Sequence, residues 1–141
     1  MADRKIKQLS IFVNNEPGRL AHIVSVLKEN GVNMKAFNLA ESAEFGILRA
    51  IVDDPDQAFA KLKDKDIIVR QTEVIGVLID DEPGSIFAAA DLFGREGINI
   101  EYGYAYTGRS AAAFFMRVDD CDRAIEILDK AGIRLITDKE I

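Results

Sequence analysis

Two short segments concentrate the groups that could hold a small ligand: Asn14-Asn15-Glu16-Pro17-Gly18-Arg19-Leu20 and Asp80-Asp81-Glu82-Pro83-Gly84-Ser85-Ile86. In each, an alternation of apolar and polar residues ends and polar side chains follow. A Pro then stands at a position suited to the first turn of a helix. The first N–H groups of a helix lack intrahelical partners and carry partial positive charge, so a carboxylate can sit there directly. Gly18 or Gly84 lets a ligand or a neighbouring backbone come close. Asn15 or Asp81 offers an oxygen that accepts from an ammonium group. One end wants a carboxylate and the other an ammonium, which describes a free amino acid. The same residue types also finish turns and cap helices, so the loop by itself leaves both readings open.

Other reactive residue types carry less. Asp53-Asp54-Pro55-Asp56 and Asp119-Asp120-Cys121-Asp122 suggest calcium but lack the Gly and the distant Glu of a calcium loop. Asp at a helix start explains them better, and no metal is expected. His22 is the single histidine and Cys121 the single cysteine. Neither sits in a catalytic motif, and a Cys–His nucleophile would need folding to unite them. There is no phosphate loop, dinucleotide fingerprint or nucleophile elbow, so no cofactor is expected. Tyr102, Tyr104 and Tyr106 alternate and so share one sheet face. A domain or subunit interface suits them better than base stacking, since tyrosine combines size with a polar tip.

The elements that must position these loops come in two copies. Shifted by 66 residues, the segment from residue 8 to residue 73 falls on the following one without a gap, with 12 identities in 66 positions. Glu16-Pro17-Gly18 lands on Glu82-Pro83-Gly84, Gly31 on Gly97, Asn33 on Asn99, and Val52-Asp53-Asp54 on Val118-Asp119-Asp120. Leu9 to Val13 reads as a strand. Leu20, Ile23, Val24 and Leu27 form a helical stripe that Gly31 ends, repeated by Ile86, Ala89, Ala90 and Phe93 before Gly97. Residues Val32 to Leu39 and Phe45 to Val52 are extended. Asp54-Pro55-Asp56 starts a second helix with Ala58, Phe59 and Leu62 inward, and Ile67 to Arg70 is a last strand. The order β-α-β-β-α-β predicts an α+β class: two ferredoxin-like units, 1–72 and 73–141, each an antiparallel sheet with both helices on one face, packed as a tandem pair.

Composition sets outer bounds. The formal charge is -6, with 18 basic against 24 acidic residues, so neither nucleic acid nor an anionic membrane is an expected partner. No apolar run approaches the roughly 20 residues that span a bilayer. The charged start, Met1 to Lys7, lacks the apolar stretch of a signal peptide. The expected location is the cytoplasm.

The strand, Asn/Asp-x-Pro-Gly-x-Leu/Ile, the helix and then Gly31-Val32-Asn33-Met34 or Gly97-Ile98-Asn99-Ile100 resemble the ACT domain, the small-molecule-binding module of amino-acid-metabolic enzymes. The resemblance covers nearly the whole chain as a tandem pair. It implies domains paired edge to edge, with effectors between the loop of one domain and the second strand of another. Carried over by position, the ligand-binding residues are Asn15, Glu16, Pro17, Gly18, Arg19 and Leu20, with Asp81, Glu82, Pro83, Gly84, Ser85 and Ile86, and Asn33 and Asn99, after which the strand supplies backbone groups. The loops differ at Asn15/Asp81 and Arg19/Ser85, so equal binding is not expected. The expected function is a non-enzymatic regulatory protein that senses a free amino acid, as a homodimer or higher homo-oligomer, and controls a separate enzyme or pathway. The alternative is a ligand-independent regulatory or assembly subunit of an amino-acid-metabolic enzyme.

Overall fold

A computed structural model describes residues 4–41, 45–80, 82–108 and 111–141. The chain divides into two compact units: Lys7–Thr72, and Glu73–Ile141 together with the segment ending at Ile6.

The first unit contains β1 (Ile6–Asn14), α1 (Arg19–Glu29), β2 (Met34–Glu41), β3 (Phe45–Val52), α2 (Pro55–Asp64) and the start of β4 (Val69–Ile79). The strand order is β2-β3-β1-β4, with β1 and β2 both antiparallel to β3. Leu9, Ile11 and Val13 lie opposite Ala50, Leu48 and Gly46, and these alternate positions face the helices. With Ile23, Val26 and Leu27 of α1 and Ala58 and Leu62 of α2 they form the apolar core. Each fully buried aliphatic side chain there contributes about 1.5–3 kcal/mol relative to exposure. Asp54 caps α2 by accepting from the Gln57 N–H at 3.2 Å, and Pro55 follows at the first helical position, where its missing N–H costs nothing.

The second unit repeats the plan with α3 (Phe87–Arg95), β5 (Ile100–Thr107), β6 (Ala112–Val118), α4 (Cys121–Lys130) and β7 (Leu135–Ile136) around the remainder of β4. β4 pairs with β6 and β7, and β6 with β5, all antiparallel. Ile75, Val77, Met116 and Val118 pack on Ala89 and Phe93 of α3 and on Ala124 and Leu128 of α4. The α+β class and the ferredoxin-like order therefore hold in both repeats.

Three local expectations need correction. Pro17 and Pro83 do not lie in the first helical turn. Gly18 (φ 86) and Gly84 (φ 84) adopt the left-handed conformation and interrupt the run after each Pro, so α1 begins at Arg19 and α3 only at Phe87. The buried face of α1 is Ile23, Val26 and Leu27, while Val24 is half-buried and Leu20 exposed. Leu20 keeps the stripe's spacing but stands in the first turn and is 38% exposed. Likewise Ala89 and Phe93 are buried in α3, whereas Ile86 and Ala90 are exposed. Finally, the last strand of the first repeat and the first strand of the second are one element, β4, with no turn between them.

Candidate functional site

The loop after β1 folds on its own backbone. The Glu16 N–H donates to the Asn14 carbonyl at 2.8 Å and the Arg19 N–H to the Glu16 carbonyl at 3.3 Å. The Gly18 carbonyl accepts from the His22 N–H at 3.0 Å and starts the helical ladder. No side chain caps this end of α1. Among the described residues, the N–H groups of Gly18, Leu20 and Ala21 have no partner, which leaves the positive end of the helix dipole open to an anion.

Beside this corner is a cavity of about 290 Å³, lined by Val13, Asn14, Asn15, Glu16, Leu20, Leu39 and Gly46. That volume is at the lower edge of the roughly 300–1,000 Å³ typical of small-molecule sites. Asn14, Asn15 and Glu16 are its polar lining residues; Val13, Leu20, Leu39 and Gly46 are its apolar ones. The Glu16 carboxylate accepts from Arg19 Nε at 3.2 Å. Arg19 itself lines a separate, smaller cavity of about 130 Å³ with Phe12, Asn14, His22, Ile23, Asp66, Ile67 and Ile68. Of the predicted first-repeat residues, the structure thus brings Asn15, Glu16 and Leu20 onto one cavity. Pro17 and Gly18 form the turn beside it, and Arg19 points to its neighbour.

The second loop has the same frame, with Glu82 N–H donating to the Asp80 carbonyl at 2.8 Å and Ser85 N–H to the Glu82 carbonyl at 3.4 Å. Here the Gly84 carbonyl accepts from Phe87, three residues on, at 3.0 Å. That tighter turn replaces the first α-helical bond. Pro83 and Gly84 are exposed, Ser85 is half-buried and Ile86 is exposed. Asp81 lies outside the described residues.

The sequence profile of the ACT domain pair matches residues 4–141. The chain belongs to the ACT domain pair family. Protein BT0572 from Bacteroides thetaiotaomicron shares 37% identity and a TM-score of 0.90, over 96% of this chain and 94% of that one. The ligand-free regulatory subunit of aspartate kinase from Thermus thermophilus has a TM-score of 0.61 at 17% identity, over 93% and 95% of the two chains. The corresponding subunit from Thermus flavus has 0.62 at 13%, over 94% and 95%. These last two share the fold. No curated protein matches the chain.

Within the ACT pair, Asn33 and Asn99 sit away from the loops. The Asn33 N–H donates to Asp53 Oδ1 at 3.0 Å and its carbonyl accepts from the Asp53 N–H at 3.2 Å. Asn99 and Asp119 repeat this at 3.1 and 3.2 Å. Both clasps join the start of the repeat's second strand to the end of its third. Met34 pairs with Val52 there, whereas Glu41 pairs with Gly46 at the cavity end. At about 3.3 Å per residue, the length of β2 puts Asn33 roughly 20 Å from the cavity. The clasp accounts for the shared Asp, whose carboxylate accepts; Asn33 and Asn99 enter it through backbone atoms alone, so it gives their side chains no role.

The remaining candidates also have structural partners. Asp120 caps α4 by accepting from the Arg123 N–H at 3.0 Å. Among the described residues, no group of three or more His, Cys, Asp or Glu side chains is placed to hold a metal. Cys121 Sγ lies 3.6 Å from the Glu73 carbonyl, to which it donates, and 3.9 Å from Arg117 Nη1. Burial pushes its thiol pKa up, against a smaller lowering by Arg117. Tyr102, Tyr104 and Tyr106 lie on the sheet face away from the helices, opposite Arg117, Phe115 and Ala113. The rings of Tyr104 and Tyr106 tilt against Phe115 at 5.9 and 5.8 Å.

Sequence reasoning missed Val13, Leu39 and Gly46. Leu39 and Gly46 reach the cavity through the β2–β3 pairing, in which Leu39 faces Leu48 and Glu41 faces Gly46. Only that register connects residues so far along the chain from the loop.

Proposed function

We propose that this ACT pair is a regulatory protein without catalytic activity of its own, which binds a free amino acid at the Pro-Gly loop. It passes the occupancy of that site to an enzyme on another chain. ACT domain pairs are regulatory domains. The observation that carries the ligand reading is the first-repeat cavity. It is lined by Asn15, whose side chain carries an acceptor oxygen, and by Leu20, whose N–H has no partner, together with apolar Val13, Leu39 and Gly46. A zwitterion needs an acceptor for its ammonium and a donor for its carboxylate, and these lining residues carry both kinds of group. Binding that orders the loop and a neighbouring interface couples to association, and so gives the switch. The kinase regulatory subunits of the same fold support a partner enzyme as the receiver of the signal.

Calorimetric titration of the chain with each of the twenty amino acids at millimolar concentration tests this. At least one binds, and Asn15→Ala weakens it by about 10- to 100-fold, the value of a hydrogen bond to a charged group. A panel with no binder refutes the reading. A second reading, a ligand-independent assembly subunit, draws on Phe37 and Leu39, which are 58% and 49% exposed on edge strand β2. Stable co-purification with an enzyme, unaffected by any amino acid, identifies that case.

A further inference from the structure

We infer that the first repeat alone carries the ligand site and that the site selects an amino acid with an aliphatic side chain, an inference that rests on the amino-acid-binding reading above. Among the described residues, the cavity has one charged lining residue, Glu16, and its carboxylate is engaged by Arg19 at 3.2 Å. Among the described residues, no cation lines the cavity to receive an acidic side chain. The apolar lining is Val13, Leu20, Leu39 and Gly46. Leu20 and Leu39 are 38% and 49% exposed, so a bound aliphatic group covers apolar surface that water otherwise wets. A charged group in the same place loses its hydration against leucine with nothing in return. The volume of about 290 Å³ equals about ten water molecules. That suits valine, leucine or isoleucine, with about eight or nine non-hydrogen atoms, and is small for tryptophan.

The second repeat keeps the turn but changes the wall and the floor. Ala105 stands where the first repeat has Leu39, and Ala112 where it has Gly46. Gly46 and Ala112 occupy the same place in the sheet, opposite Val13 and Ile79 respectively. A Cβ at Gly46 would meet the Ala40 carbonyl at 3.2 Å, Leu39 Cδ1 at 3.6 Å and the Val13 carbonyl at 3.7 Å. A methyl there fills the floor of the cavity, and the second repeat carries that methyl. It also has alanine in place of one of the two leucines, with Ile86 in place of the other, and its helix begins two residues later. The two substitutions shorten one apolar side chain and take up floor space in the second repeat, and leave both features in the first.

The test is calorimetry on the whole chain with L-valine, L-leucine, L-isoleucine, L-aspartate and L-lysine. The aliphatic amino acids bind at least about 10-fold tighter than aspartate and lysine, at one per chain, because one or two methylene-sized contacts are worth that much. The double variant Leu39→Ala/Gly46→Ala, which gives the first repeat the second repeat's residues, loses at least about 10-fold. Leu39→Ala alone, at a half-exposed edge position, keeps the fold and loses part of the affinity. Two molecules bound per chain, tighter binding of aspartate or lysine, or unchanged affinity in both variants overturns the inference while leaving the amino-acid-binding reading intact. No binding of any amino acid overturns that reading, and this inference with it.

Discussion

Replacing Gly18 and Gly94 by Ala isolates the backbone geometry of the first Pro-Gly loop. A Cβ at either position has nothing within 4 Å, so neither substitution creates a clash and only the backbone conformation differs. Gly18 has φ 86, a left-handed conformation that costs an L-residue about 1–2 kcal/mol. Alanine also narrows the unfolded ensemble, which returns about 0.4–1 kcal/mol. The net is a destabilisation of about 1 kcal/mol, or a fall in Tm of about 4 °C for a chain of this size. Gly94 lies in α3, one residue before its end, and its φ is not in the left-handed range. There the same methyl removes the helix penalty of glycine and stabilises by about 0.5 kcal/mol. One chemical change therefore has opposite signs at two open positions. The chain has no Trp, so far-UV circular dichroism during urea and thermal unfolding is the suitable readout. A Gly18→Ala variant as stable as the parent, or stabilised like Gly94→Ala, would refute the left-handed turn on which the site geometry rests.

Two further predictions concern ionisable groups. The Asp56 carboxylate accepts from Gln71 Nε2 at 2.9 Å and from Lys7 Nζ at 3.0 Å, and these contacts hold its pKa below the ordinary carboxylate value. Its contribution is thus fully present above the unfolded value near pH 4 and is lost as pH falls through the folded pKa. Carbon NMR titration should find that depressed midpoint, and Asp56→Asn should flatten the acid limb of stability; an ordinary midpoint contradicts the assignment. Cys121 has a raised pKa from burial, so iodoacetamide near neutral pH should label it several-fold more slowly in the folded chain than in urea. Equal rates would show that the sulfur is free in solution.

Much of the fold was readable along the chain because it depends on neighbours in sequence. The 66-residue repeat, the bounds of β3 at Phe45–Val52, and the start of α2 after Asp54 all follow from local pattern and capping chemistry. The inward face of α2 was also legible, since Ala58 and Leu62 are fully buried beside a partly buried Phe59. The α1 stripe was less so, because burial at Val26 and exposure at Leu20 depend on where the sheet ends beneath the helix.

The sequence by itself determined that two β-α-β-β-α-β units exist and that each carries a Pro-Gly turn ahead of a helix. These are consequences of period, turn chemistry and repetition within a few residues. Tertiary structure decided which residues share a cavity. It set Leu39 and Gly46 beside Asn15, and tied Asn33 and Asn99 to Asp53 and Asp119 at the far end of the sheet. Strand pairing alone makes those choices, because a one-residue change of register turns every side chain of a strand to its opposite face.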